Sequence, residues 1–216
     1  MKKGLFITFE GGEACGKSTQ VNLLKQYIAS LPNKDDFLFV REPGGTPLAE
    51  KIRDLLLDNN GDAPLPMTEL LLFCAARVEN SSKNILPALN DGKVVIADRF
   101  YDSTIAYQGC ARKIMSAEKI LELTRTIIGG LKPDLTFYLK LSPEEAFKRK
   151  SKMMEGLDRL ELEGLEFHKR VEEGYNYISN IEKERFCVID ATKSIDEIFE
   201  IIKTEIDKLI NKANKS

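Results

Sequence analysis

An eight-residue segment, from Gly11 to Ser18, constrains the fold more than any other part of this 216-residue chain. It reads GGEACGKS, matches the pattern G-x-x-x-x-G-K-[ST], and lies between the apolar run Leu5–Phe9 and helix-length sequence that starts at Lys17. In this context the glycines let backbone N–H groups turn toward phosphate oxygens, and the helix N-terminus adds positive potential. Lys17 would reach the terminal phosphates of a nucleotide and the Ser18 hydroxyl would bind Mg²⁺. The segment therefore predicts a phosphate-binding loop at the edge of a sheet.

The rest of the chain alternates short apolar runs with longer amphipathic stretches, which is typical of β-α units that form a parallel sheet. Strands are predicted at Leu5–Phe9, Phe37–Val40, Lys93–Ala97, Thr136–Lys140 and Phe186–Ile189. Helices are predicted at Lys17–Leu31, Leu48–Leu57, Met67–Asn90 in one or two pieces, Asp102–Gln108, Ala117–Ile128, Pro143–Lys152, Leu165–Ile181 and Ile195–Asn211. The predicted fold is one α/β domain over residues 1–216, in which helices cover both faces of a five-stranded parallel sheet.

Composition excludes several other classes of protein. Lys and Arg number 32 against 34 Asp and Glu, and the net charge of -2 gives no bulk attraction to nucleic acid. No apolar run approaches the length of about 18 residues that a bilayer span requires. The four cysteines form no CxxC pair and His168 is the single histidine, so neither a zinc site nor a structural disulfide is expected. We expect a soluble, cytoplasmic protein with no membrane and no nucleic-acid partner.

An acidic residue ends the third predicted strand. The sequence VVIAD, residues 94–98, is a buried-type strand that finishes in Asp98, the arrangement that holds magnesium in phosphate-loop enzymes. Arg99 follows and would project from the same carboxyl edge of the sheet, where ligands of open α/β folds bind.

Two short patterns bear on whether the loop belongs to a GTP-dependent switch. Residues 33–36 match NKxD and residues 58–61 match DxxG, but they occur in the reverse of the order that such switches require. We interpret both as turns. Four arginines favour a kinase instead, because bidentate guanidinium groups cancel the repulsion between two phosphate groups that must meet. They are Arg41, Arg53, Arg77 and Arg99, all near predicted strand ends or on the following helices.

Two pairs of side chains have the spacing of one helix face. Phe73 and Arg77 would place a flat apolar ring beside a cation, which suits stacking on a base, although Phe73 among leucines is equally typical of a plain core residue. Thr104 and Gln108 repeat the spacing with polar groups, and the Gln108 amide suits a base edge; an exposed helix face is the alternative.

Together these segments resemble the thymidylate kinase family. The motifs, in order, are FEGGEACGKST at residues 9–19, REPGGT at 41–46, LFCAAR at 72–77, DRFYDSTIAYQG at 98–109, and DRLE at 158–161 followed by Phe167-His168. The match extends from residue 4 to about residue 190. The second and fourth motifs are specific to this family rather than to phosphate-loop proteins in general.

The resemblance implies a P-loop nucleoside-monophosphate kinase fold that transfers the γ-phosphoryl group of ATP to dTMP, as a homodimer with Mg²⁺ as cofactor. ATP would be bound by Gly11, Gly12, Glu13, Ala14, Cys15, Gly16, Lys17, Ser18, Thr19, Arg149 and Arg159. The acceptor dTMP would be bound by Glu13, Glu42, Pro43, Arg53, Phe73, Arg77, Arg99, Thr104, Tyr107 and Gln108. Ser18 and Asp98 would hold the metal, and the catalytic set would be Lys17, Arg99, Arg149 and Glu13.

The segment from Lys148 to Glu163 is expected to be the lid. It is dense in charges of both signs and is followed by Gly164, a composition that suits a mobile flap or a solvated helix face. The phosphate loop carries Ala14 and Cys15 where some members have an arginine, so the resemblance assigns the catalytic arginine to the lid, at Arg149. Lys152 and Glu155 stand where a second lid arginine is often found. A kinase for another pyrimidine monophosphate and a nucleotide-binding regulatory protein are the alternatives.

Overall fold

The predicted parallel sheet is present in the computed structural model, which describes residues 4–59, 61–150 and 158–213. Its five strands are parallel and follow the order β2-β3-β1-β4-β5. They are β1 (Leu5–Glu10), β2 (Phe37–Arg41), β3 (Val94–Asp98), β4 (Leu135–Lys140) and β5 (Phe186–Asp190). Each strand begins and ends within one residue of its predicted range, and the predicted fold class is confirmed.

Helices cover both faces of this sheet. They are α1 (Lys17–Ala29), α2 (Pro47–Leu57), α3 (Pro66–Asn80), α4 (Leu86–Asn90), α5 (Tyr101–Thr104), α6 (Ala117–Ile127), α7 (Pro143–Lys150), α8 (Leu165–Ile181) and α9 (Ile195–Ala213). Val21 of α1 and Ile202 of α9 pack in one core on Ile7 of β1. Leu70 of α3 and Ile178 of α8 belong to a second core, on the opposite face. The central strand β1 is buried along its whole length because both faces are covered.

The carboxyl ends of three strands meet at one edge of the sheet. Phe9 of β1 lies opposite Asp98 of β3, and Arg41 of β2 lies opposite the same residue. The loops that follow β1, β2 and β3 therefore leave the sheet side by side. This brings the phosphate loop, the REPGGT segment and the DRF segment together, although they are distant in sequence.

Two helical runs contain π-helical turns that sequence periodicity did not predict. One, Ser81–Ile85, joins α3 to α4, so the predicted Met67–Asn90 helix is a single run in three pieces. The other, Ile105–Ala111, follows α5 and replaces the second half of the helix predicted at Asp102–Gln108. It packs closely on α8, where a Cβ at Gly174 would lie 2.6 Å from the Cα of Ala106. This wider turn carries Tyr107 and Gln108, and π-helical turns occur frequently at functional sites.

The two switch-like patterns lie in connections rather than at the phosphate edge. Residues 34–36 form a 3₁₀ turn before β2, which confirms the first interpretation. Residues 58–61 lie in the connection between α2 and α3, where residue 60 is outside the described ranges. No helix in the parts of the chain that the structure describes is long and apolar enough to cross a membrane.

Candidate active site

The loop between β1 and α1 holds its lysine inside its own turn. Gly11 and Gly16 have φ angles of +146° and +94°, and a Cβ at Gly11 would lie 2.6 Å from the carbonyl oxygen of Leu139. Side chains are therefore excluded at Gly11 by both conformation and space. The Lys17 ammonium donates to the carbonyl oxygens of Gly11 at 3.0 Å and Gly12 at 2.8 Å. The result is a cationic centre surrounded by turned backbone, as the sequence predicts.

The other residues predicted to bind ATP lie in this loop or against it, except for Arg159. Ala14 adopts a left-handed conformation, with φ of 52°, and the buried Cys15 thiol donates to the carbonyl of Gly12. Thr19 is exposed on the first turn of α1. Arg149 of α7 donates to the carbonyl oxygens of Ala14 at 3.4 Å and Ala191 at 2.9 Å. Arg149 thus lies against the phosphate loop, whereas Arg159 lies elsewhere, as shown below.

Ser18 and Asp98 line the same groove beside the loop. A hydroxyl and a carboxylate are hard oxygen donors, and Mg²⁺ is typically held by one or two such side chains together with substrate phosphates. The described residues contain no cluster of three or more His, Cys, Asp or Glu side chains that would form a complete metal cage. The pair therefore fits a magnesium ion that arrives with its nucleotide.

A cleft of about 540 Å³, partly open to solvent, adjoins the phosphate loop. Its lining comprises Glu13, Glu42, Pro43, Arg53, Leu57, Phe73, Arg77, Arg99, Ser103, Thr104, Tyr107, Gln108, Asp158 and Leu160. All ten residues predicted to bind the acceptor are among them. Arg41, the remaining member of the four arginines that favoured a kinase, does not line the cleft. Its guanidinium pairs with the carboxylate of Glu50 at 2.7 Å.

Arg77 is fixed in the cleft wall by three separate segments. Its guanidinium donates to the carboxylate of Glu42 at 2.7 Å, the hydroxyl of Thr104 at 2.8 Å and the carbonyl of Phe100 at 3.2 Å. Glu42 precedes a cis peptide bond to Pro43 and is almost fully buried. Burial raises the pKa of Glu42, although the Arg77 guanidinium opposes the shift. The Arg77–Glu42 pair is thus a desolvated ion pair whose orientation is set by hydrogen bonds.

Arg99 joins the cleft to the phosphate loop. It has a positive φ of 69°, which turns the chain sharply after β3. Its guanidinium donates to the carbonyl of Gly11 at 3.1 Å and to the carboxylate of Glu13 at 2.8 Å, and that carboxylate also accepts a hydrogen bond from the Tyr107 hydroxyl. Burial alone would raise the pKa of Glu13, but Arg99 and Lys17 outweigh it and hold the pKa at about 2. Glu13 is therefore an anion between two cations.

Sequence reasoning missed a buried carboxyl group behind Arg99. Glu10, the last residue of β1, accepts hydrogen bonds from the backbone N–H of Phe100 at 2.7 Å, the hydroxyl of Ser103 at 2.6 Å and the hydroxyl of Tyr175 at 3.1 Å. Both hydroxyls also accept from the Arg99 guanidinium, at 3.1 and 3.0 Å. Burial and the nearby Asp102 raise the pKa of Glu10 to about 7. The one signal in the sequence was an acid at the end of an otherwise apolar strand.

Sequence reasoning also missed a second buried acid, Glu69, which is the partner of Arg159. Glu69 of α3 is 1% exposed and accepts hydrogen bonds from Arg159 at 2.6 Å and from the Gln108 amide nitrogen at 2.8 Å. Arg159 also donates to the carbonyl of Leu56 at 3.2 Å. In this structure the Arg159 guanidinium therefore lies against Glu69 rather than against the phosphate loop, and its assignment to ATP stays a prediction. Asp158 and Leu160, the neighbours of Arg159 in sequence, line the cleft.

The predicted lid is described only at its two ends. Lys148, Arg149 and Lys150 complete α7, and residues 158–163 form turns beside the cleft. Residues 151–157, which include Lys152 and Glu155, lie outside the described ranges. The two ends approach each other, since the Lys150 ammonium donates to the carbonyl of Glu161.

The sheet order, the phosphate loop after β1 and the arginine-lined cleft beside that loop define a P-loop kinase of small phosphorylated acceptors. Within that class, the chain belongs to the thymidylate kinase family, whose model matches residues 9–202.

Individual members of this family are similar in sequence to this chain over nearly its whole length. Thymidylate kinase of Clostridium novyi is 42% identical over 204 residues, which cover 94% of this chain and 98% of the relative. Thymidylate kinase of Shouchella clausii is 44% identical over 211 residues, covering 97% and 98%. The crystal structure of thymidylate kinase from Ehrlichia chaffeensis matches with a TM-score of 0.74 and 35% identity, over 94% of this chain and 98% of that one.

Proposed function

We propose that this enzyme transfers the γ-phosphoryl group of ATP to dTMP, giving dTDP and ADP. The observation that supports this proposal best is that one residue, Glu13, belongs to both the phosphate loop and the cleft. Glu13 belongs to the phosphate loop, lines the acceptor cleft, and pairs with Arg99 at 2.8 Å. A donor nucleotide in the loop and an acceptor in the cleft would therefore meet at this pair.

The chemistry requires charge neutralisation rather than a base. An oxygen of the acceptor phosphate, already an anion, forms a bond to the γ-phosphorus while the bond from that phosphorus to the β-γ bridging oxygen breaks, and ADP leaves. Lys17 and Arg149 on the donor side, and Arg53 and Arg99 on the acceptor side, would hold the phosphate groups in line. Magnesium, held by Ser18 and Asp98 with the donor phosphates, supplies further positive charge when it is bound.

The cleft suits a keto pyrimidine. Phe73 provides an apolar face for stacking, and Arg77 provides N–H groups for a ring carbonyl. The family resemblance adds that Tyr107 crowds the ribose 2′ position and so favours deoxyribose. Because the proposed substrates are intracellular nucleotides, we also propose that the enzyme acts in the cytoplasm.

We propose further that the enzyme is a homodimer, formed through α2 and α3. Large apolar side chains are exposed on or next to these two helices, which pack on each other: Leu48, Leu55, Leu65, Met67 and Leu71. Exposed apolar side chains concentrated on neighbouring helices mark an interaction site. Light scattering is expected to give twice the chain mass for the wild type and a monomer for Leu71→Glu. A monomeric wild type would contradict this assignment.

The deciding experiment for activity is a coupled ADP-release assay with ATP and Mg²⁺ across dTMP, dUMP, UMP, CMP, AMP and GMP. We expect the highest kcat/KM for dTMP. A higher value for another pyrimidine monophosphate would support the alternative kinase. No ADP release with any acceptor, from a folded protein that binds ATP, would support a nucleotide-binding regulatory role.

A further inference from the structure

Glu69 does not line the cleft itself but accepts a hydrogen bond from Gln108, which does. One oxygen of its buried carboxylate accepts from the Gln108 amide nitrogen at 2.8 Å and the other accepts from Arg159 at 2.6 Å. Arg112 lies farther away, at 3.4 Å from both oxygens. Both Glu69 oxygens therefore accept hydrogen bonds from guanidinium groups, and a carboxylate has no hydrogen of its own to donate.

This partner fixes which end of the Gln108 amide faces the cleft. An amide presents either its nitrogen, a donor, or its oxygen, an acceptor, and its surroundings decide which of the two faces a given side. Because a carboxylate accepts only, the nitrogen of Gln108 must face Glu69. Its oxygen is left for a partner in the cleft that Gln108 lines, and among the described residues no group donates to that oxygen.

Arg77 supplies the complementary group. Three of its five N–H groups are used by Glu42, Thr104 and Phe100, which leaves two donors. Because Arg77 and Gln108 both line the cleft, it offers a donor from one and an acceptor from the other. Thymine presents a carbonyl at position 4 and an N–H at position 3, which match this pair. Cytosine presents an amino group at position 4 and a bare acceptor at position 3, which oppose it.

We infer that Glu69 is a specificity-determining positioning residue, which holds the Gln108 amide oxygen toward the base so that the cleft accepts thymine and rejects cytosine. The inference rests on the proposed function, since it concerns the base of the same acceptor. It also gives Arg159 a role: this arginine donates to the Glu69 oxygen that does not face Gln108 and so holds the carboxylate in place.

The test is the variant Glu69→Gln, which keeps the shape of the side chain. The oxygen of the new amide at position 69 is expected to face the two arginines, so its nitrogen faces Gln108 and the Gln108 amide must turn over. The readout is the ratio of kcat/KM for dTMP to that for 5-methyl-dCMP, which differ only at positions 3 and 4 of the base. We expect this ratio to fall by about 10- to 100-fold. A structural role alone would lower both values together and leave the ratio unchanged.

Two further variants complete the design. Arg112→Gln removes another partner of Glu69 but leaves the carboxylate and its contact with Gln108, so the ratio is expected to stay within about twofold of wild type. Glu69→Met removes the hydrogen-bond acceptor of the Gln108 nitrogen without adding a donor, so the ratio is expected to fall by less than in Glu69→Gln. This variant also provides the test if Glu69→Gln does not fold. An unchanged ratio in either folded Glu69 variant overturns the inference. Wild-type enzyme without dTMP kinase activity would instead overturn the proposed function.

Discussion

The phosphate loop and the acceptor cleft lie side by side but are built in different ways. The loop uses eight consecutive residues, and its shape comes from backbone conformation, with positive φ angles at Gly11 and Gly16, while the Lys17 ammonium rests on two of its carbonyls. The cleft uses side chains from distant segments, and each cation is held by a remote partner. Arg77 and Glu42 are 35 positions apart, and Arg99 and Glu13 are 86 apart.

The difference predicts how each region responds to substitution. In the loop, a side chain such as Lys17 serves the ligand more than the fold. In the cleft, removal of one member of a buried pair leaves the other desolvated and unpaired, which costs stability as well as function. The predictions below test this contrast.

Lys17→Met is expected to have the largest effect, a fall in kcat of about a thousandfold, because a cation at the transferring phosphates is lost. The free energy of unfolding should fall by less than in Arg77→Met, because Glu13 keeps its pair with Arg99 when Lys17 is removed. Steady-state kinetics and urea unfolding measure both, with Lys25→Met on the exposed side of the same helix as control. A variant that loses more stability than activity would erase the distinction between the regions.

Arg77→Met is expected to lower the free energy of unfolding by about 3 kcal/mol, because Glu42 is left buried without its partner. Urea unfolding checks this value. The double variant Arg77→Met/Glu42→Gln should recover part of the loss, since it removes the unpaired charge. No recovery would show that lost packing, rather than the stranded carboxylate, causes the effect.

The variant Glu10→Gln tests the pH dependence of stability that comes from Glu10, whose pKa is raised, whereas the pKa of Glu13 is lowered. The folded-state pKa of Glu10, about 7, exceeds its ordinary value of 4.5, so the stability that its protonated form contributes is full below pH 4.5 and is lost as the pH rises through 7. Relative to Glu10→Gln, the wild type should lose up to about 3 kcal/mol over this window. Glu13 has the opposite sign: with a pKa of about 2, its contribution is present above pH 4.5 and is lost as the pH falls toward 2. Urea unfolding of the wild type and of Glu10→Gln from pH 4 to pH 8 measures the Glu10 contribution. Parallel pH profiles of the two proteins would contradict the raised pKa of Glu10.

Phe73→Ala is expected to have the smallest effect, a rise in KM for dTMP of about tenfold from lost stacking on the base. The KM for ATP serves as the internal control and should stay within about twofold, because Phe73 lies in the cleft and not in the loop. An equal rise in both values would indicate a general change of structure.

The same contrast explains what could be predicted from the sequence. The strands were located to within one residue because short apolar runs of the β type have few alternatives, and the loop because its atoms are consecutive. The ten residues predicted to bind the acceptor all line the cleft, and nine of them stand in the family motifs, with Arg53 as the exception. Glu10 and Glu69 were missed, and the contact of Arg159 with Glu69 was not predicted, because each is defined by a hydrogen-bond partner distant in sequence. The π-helical turn at Tyr107 was missed because apolar periodicity does not distinguish it from an α-helix.

By itself, the order of residues determined the sheet, the phosphate loop and most of the groups that line the cleft, since backbone conformation and hydrophobic burial act over a few neighbouring positions. Only the tertiary structure decided which carboxylate holds which arginine, which end of the Gln108 amide faces the cleft, and which carboxyl groups remain ionised. Those outcomes depend on desolvation and on distances of about 3 Å between segments that only folding brings together.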